Sequence, residues 1–202
     1  MMRETLDVFV RERIDIKWDA TGRINVLARA DDKILDLMKA SGCREVALGI
    51  ESGSDRLLSY VDKKIDVAQI ATAVTRLCAA GIGVKGYFIF GMPTETSEEH
   101  GQTVALIRKL WDLTEGLPGR FRCSAFEYRP YPGTPDWQRL LRAGYSPDAM
   151  LSYLDNVDAA LWSPVRDEFN FSTGLQFGET SVKKIREDLA MIMREQRLRW
   201  HS

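Results

Sequence analysis

Short apolar runs alternate with helical patterns along most of this chain, and this alternation constrains the fold more than any other feature. The run VALGI at residues 46–50 is continuously apolar, as in a strand that is buried on both faces of a sheet. Strand, helix, strand and helix with short connections are typical of βαβ units, which form parallel sheets with right-handed crossovers. The predicted strands are residues 24–28, 46–50, 82–90 and 121–128, and the predicted helices are residues 3–13, 32–40, 55–60, 66–80 and 96–113. We therefore expect an α/β fold with a parallel sheet of about four strands.

The pattern changes to helix and loop from Trp137 onward. Residues 150–161 and 181–200 have helical patterns, and the segment NFSTGLQFG between them is irregular. We therefore divide the chain into a sheet-forming part, residues 1–136, and a C-terminal helical extension, residues 137–202.

The charge balance excludes several classes of partner. Lys and Arg number 28, Asp and Glu number 29, and the net charge is −1. A chain of this balance has no electrostatic reason to bind a nucleic-acid backbone or an anionic membrane. No apolar run reaches the roughly 20 residues of a membrane helix, and the charged N-terminal sequence is not a secretory signal. A cytoplasmic location is the default expectation.

The three cysteines, Cys43, Cys78 and Cys123, are 35 and 45 residues apart. This spacing is neither a disulfide framework nor a clustered metal-ligand pattern. Each cysteine lies in an apolar or helical context, which favours buried, reduced thiols. The sequence therefore predicts no metal ligands.

Glu51 follows the second predicted strand and has Gly49 and Gly53 on either side. Ligands of parallel α/β folds bind at the carboxyl ends of the strands. Two glycines beside a carboxylate leave room for a ligand pressed close to the backbone. The alternative is that Glu51 merely caps the next helical turn.

Three segments, taken in order, resemble one enzyme family. They are VALGIESGSDRLLSYVDKK at 46–64, AAGIGVKGYFIFGMPTET at 79–96 and RPYPGTP at 129–135. These segments are similar to the G-I-E-S-G, G-x-P-x-E-T and P-Y-P-G-T motifs of the radical S-adenosylmethionine (radical SAM) enzymes. The style is that of the cobalamin-associated and methylthiotransferase-like members, and the resemblance covers roughly residues 14–135.

The resemblance implies a partial (β/α) barrel, similar to a TIM barrel, of which this chain supplies about four of six strands. In the family, a C-x-x-x-C-x-x-C loop holds a [4Fe–4S] cluster that cleaves S-adenosylmethionine to a radical. This sequence contains no such loop, and three scattered cysteines cannot replace it. We therefore expect the cluster ligands to come from a missing N-terminal segment and the chain alone to be inactive. Cobalamin in the parent protein is a further expectation from the motif style.

Carried over residue by residue, the resemblance implies a site for the rest of the cofactor. Glu51 and Ser52 match the position that reaches the ribose hydroxyls, and a carboxylate acceptor suits a diol. Lys63 matches a cation that faces the carboxylate of the methionine moiety. A lysine pair after a helix is otherwise a solvated helix end.

Three further residues complete the predicted cofactor site. Arg29 ends the first predicted strand and offers a fork of donors to the same carboxylate or to a substrate anion. Tyr87 and Phe90 lie on the third predicted strand and are assigned to the adenine side, although aromatic residues in strands often only pack the core. No catalytic residue is assigned, and His100 is predicted to lie on the solvated surface.

Two principal interpretations follow. In the first, the chain is the C-terminal portion of a radical SAM enzyme that modifies an unknown substrate, with methyl transfer as one outcome. In the second, it is a non-catalytic module or interaction protein that retains the fold. An unrelated βα-barrel fragment is a third, weaker interpretation. In each case the edge of the first predicted strand is expected to be covered, by a second copy of the chain or by the C-terminal segment.

Overall fold

The computed structural model describes residues 2–152 and 173–201. The strands in these ranges are β1 (Trp18–Gly22), β2 (Cys43–Glu51), β3 (Gly83–Phe90) and β4 (Phe121–Glu127). The helices are α1 (Met2–Arg11), α2 (Ile24–Leu27), α3 (Asp32–Ala40), α4 (Asp55–Tyr60), α5 (Val67–Ala79), α6 (Ser97–Thr114), α7 (Pro135–Arg142), α8 (Pro147–Leu151) and α9 (Val182–His201). No helix in the described ranges combines the length and the apolar character that a membrane span requires.

The four strands form one sheet in the order β1-β2-β3-β4, and β2 pairs in parallel with both β1 and β3. This order follows the sequence, as expected for strands joined by helical crossovers. The predicted α/β class with a parallel sheet and a helical C-terminal end is confirmed. The carboxyl ends of β1 and β2 consequently lie side by side.

Helix starts are set by capping residues that the sequence displays. Asp31, Ser54 and Asp66 each accept a hydrogen bond from a backbone N–H in the first turn of α3, α4 and α5. At the start of α6, the Thr96 hydroxyl accepts from the Glu99 N–H at 3.2 Å, and the Glu99 carboxylate accepts from the Thr96 N–H at 3.0 Å. This reciprocal pair is a capping box, which satisfies two N–H groups that would otherwise lack partners.

The prediction of a strand at residues 24–28 is wrong. These residues form the short helix α2 and its C-terminal turn, and the strand is β1, which ends before them. Ile24 and Leu27 are buried three residues apart while Val26 is 56% exposed, which is the spacing of a helical turn. The actual strand, WDATG, has no continuous apolar run, as expected for a strand at the edge of the sheet in the described part of the chain.

The structure divides into two compact units, each built from two segments. The first unit comprises Met1–Phe88 and Gly101–Ser124, and the second comprises Ile89–His100 and Ala125–Ser202. The first unit has a fully buried core of β2, α5 and β3 side chains, in which Phe88 meets Phe121 edge to face.

Within the second unit, a separate apolar cluster gathers around Trp137, Leu140 and Met150. Tyr145 and Phe177 pack against this cluster, and the Tyr145 hydroxyl donates to the Gln176 carbonyl at 2.7 Å. α9 agrees with the predicted helix at 181–200. Most of the predicted helix at 150–161 lies outside the described residues, and the division at residues 136 and 137 stays a prediction.

Candidate functional site

A cavity of about 290 Å³ opens beside the carboxyl ends of β1 and β2, within the first unit. Its wall includes Arg23 and Asn25, which follow β1, Gly49 of β2, and Lys63 and Lys64 from the loop after α4. Three of these five residues are cationic and one is an amide, and the lining also includes Asp62, whose carboxylate pairs with the Lys64 ammonium at 2.5 Å. The wall therefore offers hydrogen-bond donors, which suits a ligand that carries anionic or carbonyl oxygens.

An ion pair between Glu51 and Lys63 borders this cavity. The Lys63 Nζ atom lies 2.7 Å from the Glu51 Oε1 atom, and the two side chains are 31% and 17% exposed. The pair is thus largely shielded from solvent, although each group retains some access. The structure brings together two of the residues that the sequence predicted for one ligand.

The backbone at Glu51 is in an uncommon conformation. Its φ angle is 68°, and the Ser52 N–H donates to the Ile50 carbonyl at 2.9 Å, so the chain forms a γ-turn with a left-handed central residue. The pairing of β2 with β3 also shifts between Gly49 and Glu51. This bulge and turn direct the Glu51 carboxylate back along β2 toward Lys63 instead of onward along the strand.

Lys63 is held by its own loop. The two residues beside it, Asp62 and Lys64, have φ angles of 56° and 53°, and the Lys63 N–H donates to the Leu58 carbonyl at 2.9 Å. Left-handed conformations are unfavourable for residues with a Cβ atom, and they persist where the surroundings impose them. The Asp62 N–H also donates to the Ser59 carbonyl at 3.0 Å, so Asp62 and Lys63 form the Schellman motif that ends α4. Lys63 is therefore positioned by an ordinary helix end, whereas Glu51 has a strained backbone outside any helix end.

Gly49 provides the space that the pair occupies. A Cβ atom at this position would lie 2.6 Å from the Glu51 Oε1 atom and 2.7 Å from the Lys63 Nζ atom. The expectation that Gly49 leaves room beside the carboxylate therefore agrees with the geometry. Gly53 has a different role, because a Cβ atom there would lie 2.5 Å from the Gln102 carbonyl oxygen of α6.

Ser52 lies next to Glu51 but is fully buried. Its hydroxyl is 3.2 Å from the Thr103 hydroxyl and accepts from the Ser54 N–H at 3.1 Å. The Thr103 hydroxyl also accepts from the Gly53 N–H at 2.9 Å. In this arrangement Ser52 fixes the loop after β2 against α6, and its predicted contact with a ribose stays a prediction.

Arg29 is not at the end of a strand. It lies in the turn after α2 and is exposed, whereas Arg23 directly follows β1 and lines the cavity. The misplaced strand explains why Arg23 was missed, because its position as the first residue after a strand is the signal that would have identified it. Arg76 of α5 holds the segment around Arg29 by donating to the carbonyls of Ala28 and Ala30.

The two predicted aromatic contacts lie in different surroundings. Tyr87 is the register partner of Gly49, is half-buried and has the Lys85 ammonium 4.8 Å from its ring centroid. It therefore lies on the strand that neighbours the ion pair. Phe90 is fully buried in the second unit, with its ring centroid 5.0 Å from that of His100. The adenine roles of Tyr87 and Phe90 stay predictions.

The prediction that His100 is a surface residue is wrong. Its side chain is 5% exposed, and its Nε2 atom is 2.7 Å from the Asp188 Oδ2 atom of α9. Asp188 also contacts the Lys184 ammonium at 2.6 Å. Burial raises the pKa of Asp188, but the hydrogen bonds from Lys184 and His100 outweigh it and hold the pKa below the usual value.

Charged side chains also occupy strand interiors on the face that carries Gly49. Arg122 of β4 donates to both carboxylate oxygens of Glu45 at 2.6 and 2.7 Å. The hydrogen bonds to Glu45 raise the pKa of Arg122 further. Glu45 and Arg122 lie near the amino ends of β2 and β4, where residues of barrel folds stabilise the protein and do not take part in chemistry.

The cysteines do not form a metal site. Cys43, Cys78 and Cys123 are buried, as predicted, and they form no disulfide bond. Burial raises the thiol pKa of Cys43 to about 11 and that of Cys78 to about 12. Within residues 2–152 and 173–201, no three histidine, cysteine or acidic side chains are grouped closely enough to hold a metal ion. The described residues therefore do not fit an iron–sulfur cluster.

A parallel sheet with a polar cavity at the carboxyl ends of its strands is the arrangement of the α/β-barrel class of ligand-binding proteins. The sequence pattern of the Radical SAM superfamily matches residues 4–107, about half of the chain. The chain belongs to this superfamily.

Two curated relatives agree with the motif style that the sequence suggested. The chain is 34% identical over 139 residues to the uncharacterized methyltransferase PH0819 of Pyrococcus horikoshii, a match that covers 67% of this chain and 28% of the relative. It is 33% identical over 109 residues to the tRNA-2-methylthio-N(6)-dimethylallyladenosine synthase of Paracoccus denitrificans, covering 53% and 23%. The matched part is thus about a quarter of the length of each relative.

A solved structure shares the fold over almost the whole chain. It is the cobalamin-dependent S-adenosylmethionine radical enzyme OxsB with aqua-cobalamin and S-adenosylmethionine bound. The TM-score is 0.59 at 13% identity, and the match covers 96% of this chain and 31% of OxsB. This likeness extends the shared fold into the C-terminal part of the chain.

Proposed function

We propose that this chain forms the part of a radical SAM enzyme that binds the nucleoside and the carboxylate of S-adenosylmethionine. The observation that carries the proposal is the Glu51–Lys63 pair, which borders a cavity at the carboxyl ends of β1 and β2. Glu51 supplies acceptors for the two ribose hydroxyls, and Lys63 supplies a donor for the carboxylate. Arg23 and Asn25, which also line the cavity, add further donors.

S-Adenosylmethionine supplies a carbon radical once a reduced iron–sulfur cluster cleaves its sulfonium bond. The described residues of this chain provide no ligands for that cluster, so we assign them binding and orientation alone. Cobalamin stays a prediction from the motif style. The match to the methyltransferase PH0819 supports methyl transfer as the reaction of the whole protein.

Thermal unfolding with S-adenosylmethionine tests the binding role. A ligand that binds the folded state raises Tm, and at about 100 times Kd it adds about 2.7 kcal/mol of stability. We expect the wild-type protein to gain Tm and Glu51→Ala to lose most of that gain. Glu115→Ala, which changes an exposed glutamate beyond α6, is the matched control and should gain as much as the wild type. Equal gains for Glu51→Ala and the control would refute the proposed site.

We also propose that a second copy of the chain or the C-terminal segment covers the free edge of β1. The sheet order supports this, because β1 lies at the end of the sheet in the described part of the chain. Size-exclusion chromatography with light scattering, run over a series of protein concentrations, tests the first of these arrangements. A concentration-dependent mass is expected if two copies share this edge.

A further inference from the structure

The backbone conformation of Glu51 is costly to maintain, and its contact with Lys63 does not offset that cost. Glu51 has left-handed backbone outside any helix end, whereas the left-handed Asp62 belongs to the Schellman motif that ends α4. A left-handed conformation costs about 1–2 kcal/mol for each residue with a Cβ atom. An ion pair with partial solvent access contributes about 0–1 kcal/mol. Strain that exceeds the gain from the contact is typical of ligand-binding sites.

In the structure each member of the pair also satisfies the other. The Glu51 carboxylate accepts from the Lys63 ammonium, and both groups lie over the Cα atom of Gly49. A hydroxyl group that binds Glu51 must compete with this ammonium. A ligand carboxylate that binds Lys63 must likewise compete with the Glu51 carboxylate.

Resting on the proposed function, we propose that the Glu51–Lys63 ion pair closes the site before binding and is exchanged on binding for two ligand contacts. A vicinal diol takes the Glu51 carboxylate, and a ligand carboxylate takes the Lys63 ammonium. A ligand that carries both groups satisfies both side chains. A ligand with the diol alone breaks the pair and leaves a partly buried ammonium without its partner, which is unfavourable. The pair therefore selects ligands that present both groups.

Two ligands distinguish this exchange from the alternative in which the ion pair stays intact on binding. S-Adenosylhomocysteine carries a diol and a carboxylate and undergoes no radical cleavage, whereas adenosine carries the diol alone. With Lys63→Met, we expect the affinity for S-adenosylhomocysteine to fall about tenfold or more, because a charge-assisted contact is lost. The affinity for adenosine should rise about two- to fivefold, because Glu51 no longer has to give up an ammonium.

Isothermal titration calorimetry on the full chain measures these affinities. Lys109→Met, which removes an exposed lysine from α6, should leave both affinities unchanged. The double variant Glu51→Gln with Lys63→Met should show no gain for adenosine, since the freed carboxylate is absent. An unchanged or weaker adenosine affinity in Lys63→Met would overturn the exchange. Failure of the wild-type protein to bind either ligand would instead refute the proposed function.

Ionic strength gives a second test that needs no variant. Salt weakens the ion pair, so between about 0.05 and 0.5 M salt we expect adenosine to bind the wild-type protein more tightly. S-Adenosylhomocysteine should bind less tightly over the same range, because its own contact with Lys63 is screened. Salt dependences of the same sign for the two ligands would contradict the proposal.

Discussion

Gly49→Ala offers a test in which binding and stability respond separately. The new methyl group would lie 2.6 Å from the Glu51 carboxylate and 2.7 Å from the Lys63 ammonium, and these are the mobile ends of long side chains. The two groups can move apart without a shift of the backbone. The loss in stability is therefore that of a partly exposed ion pair, about 0–1 kcal/mol.

Gly86→Ala is the matched control on the same sheet. Its methyl group would lie 2.8 Å from the side chains of Ile50 and Phe121, both of which are buried in the core. Overpacking of this kind costs about 1–3 kcal/mol. Both substitutions gain the same benefit of alanine over glycine in a strand, about 0.5–1 kcal/mol, so this benefit cancels in the comparison.

We expect the free energy of unfolding of Gly86→Ala to be about 1–2 kcal/mol lower than that of Gly49→Ala. This difference corresponds to a Tm lower by roughly 2–8 °C. The affinities for S-adenosylhomocysteine should have the opposite order, with Gly49→Ala the more affected variant. Gly49→Ala should bind at least about tenfold more weakly than the wild type, because its methyl group displaces both ligand-binding side chains from their positions over residue 49, and Gly86→Ala should bind normally. Differential scanning calorimetry and titration calorimetry measure the two quantities. The reasoning is refuted if Gly49→Ala binds like the wild type or unfolds at the same temperature as Gly86→Ala.

Three further predictions concern titratable groups. Burial raises the pKa of Glu95 to about 7, although the Gly91 N–H donates to this carboxylate at 2.5 Å. A carboxyl whose pKa is higher in the folded state makes the protein less stable as pH rises from about 4.5 to 7, and Glu95→Gln should flatten this fall in urea denaturation. The pKa of Asp188 is lowered in the folded state, so its contribution is present above the unfolded value of about 4 and is lost as pH falls further. Asp188→Asn, which removes the carboxylate beside His100, should abolish that acid-dependent loss at the expense of stability at neutral pH. The Cys78 thiol, whose pKa is about 12, should react with iodoacetamide at pH 8 only after unfolding, and rapid alkylation of the native protein would contradict its burial.

Local signals were sufficient to predict most of the helices. α4 has the bounds that the sequence predicted, and α5 begins after the capping residue Asp66, because caps and apolar spacing act within a few residues. β1 could not be found in this way. As an edge strand it buries little, so its sequence lacks the apolar pattern by which β2 and β3 are recognised. The neighbouring run INVL is apolar enough to be mistaken for a strand.

Contacts between residues that are distant along the chain could not be predicted from local sequence patterns. His100 looked solvated because its partner, Asp188, is 88 residues away along the chain. The composition of the Glu51–Lys63 pair could be expected from the family motif, but its conformation could not. Glutamate carries no preference for left-handed backbone, so the turn at Glu51 follows from the bulge in β2 and not from the local sequence. The strain that distinguishes a binding site from an ordinary ion pair is therefore a property of the folded backbone, and measurements on the free and the bound site test it most directly.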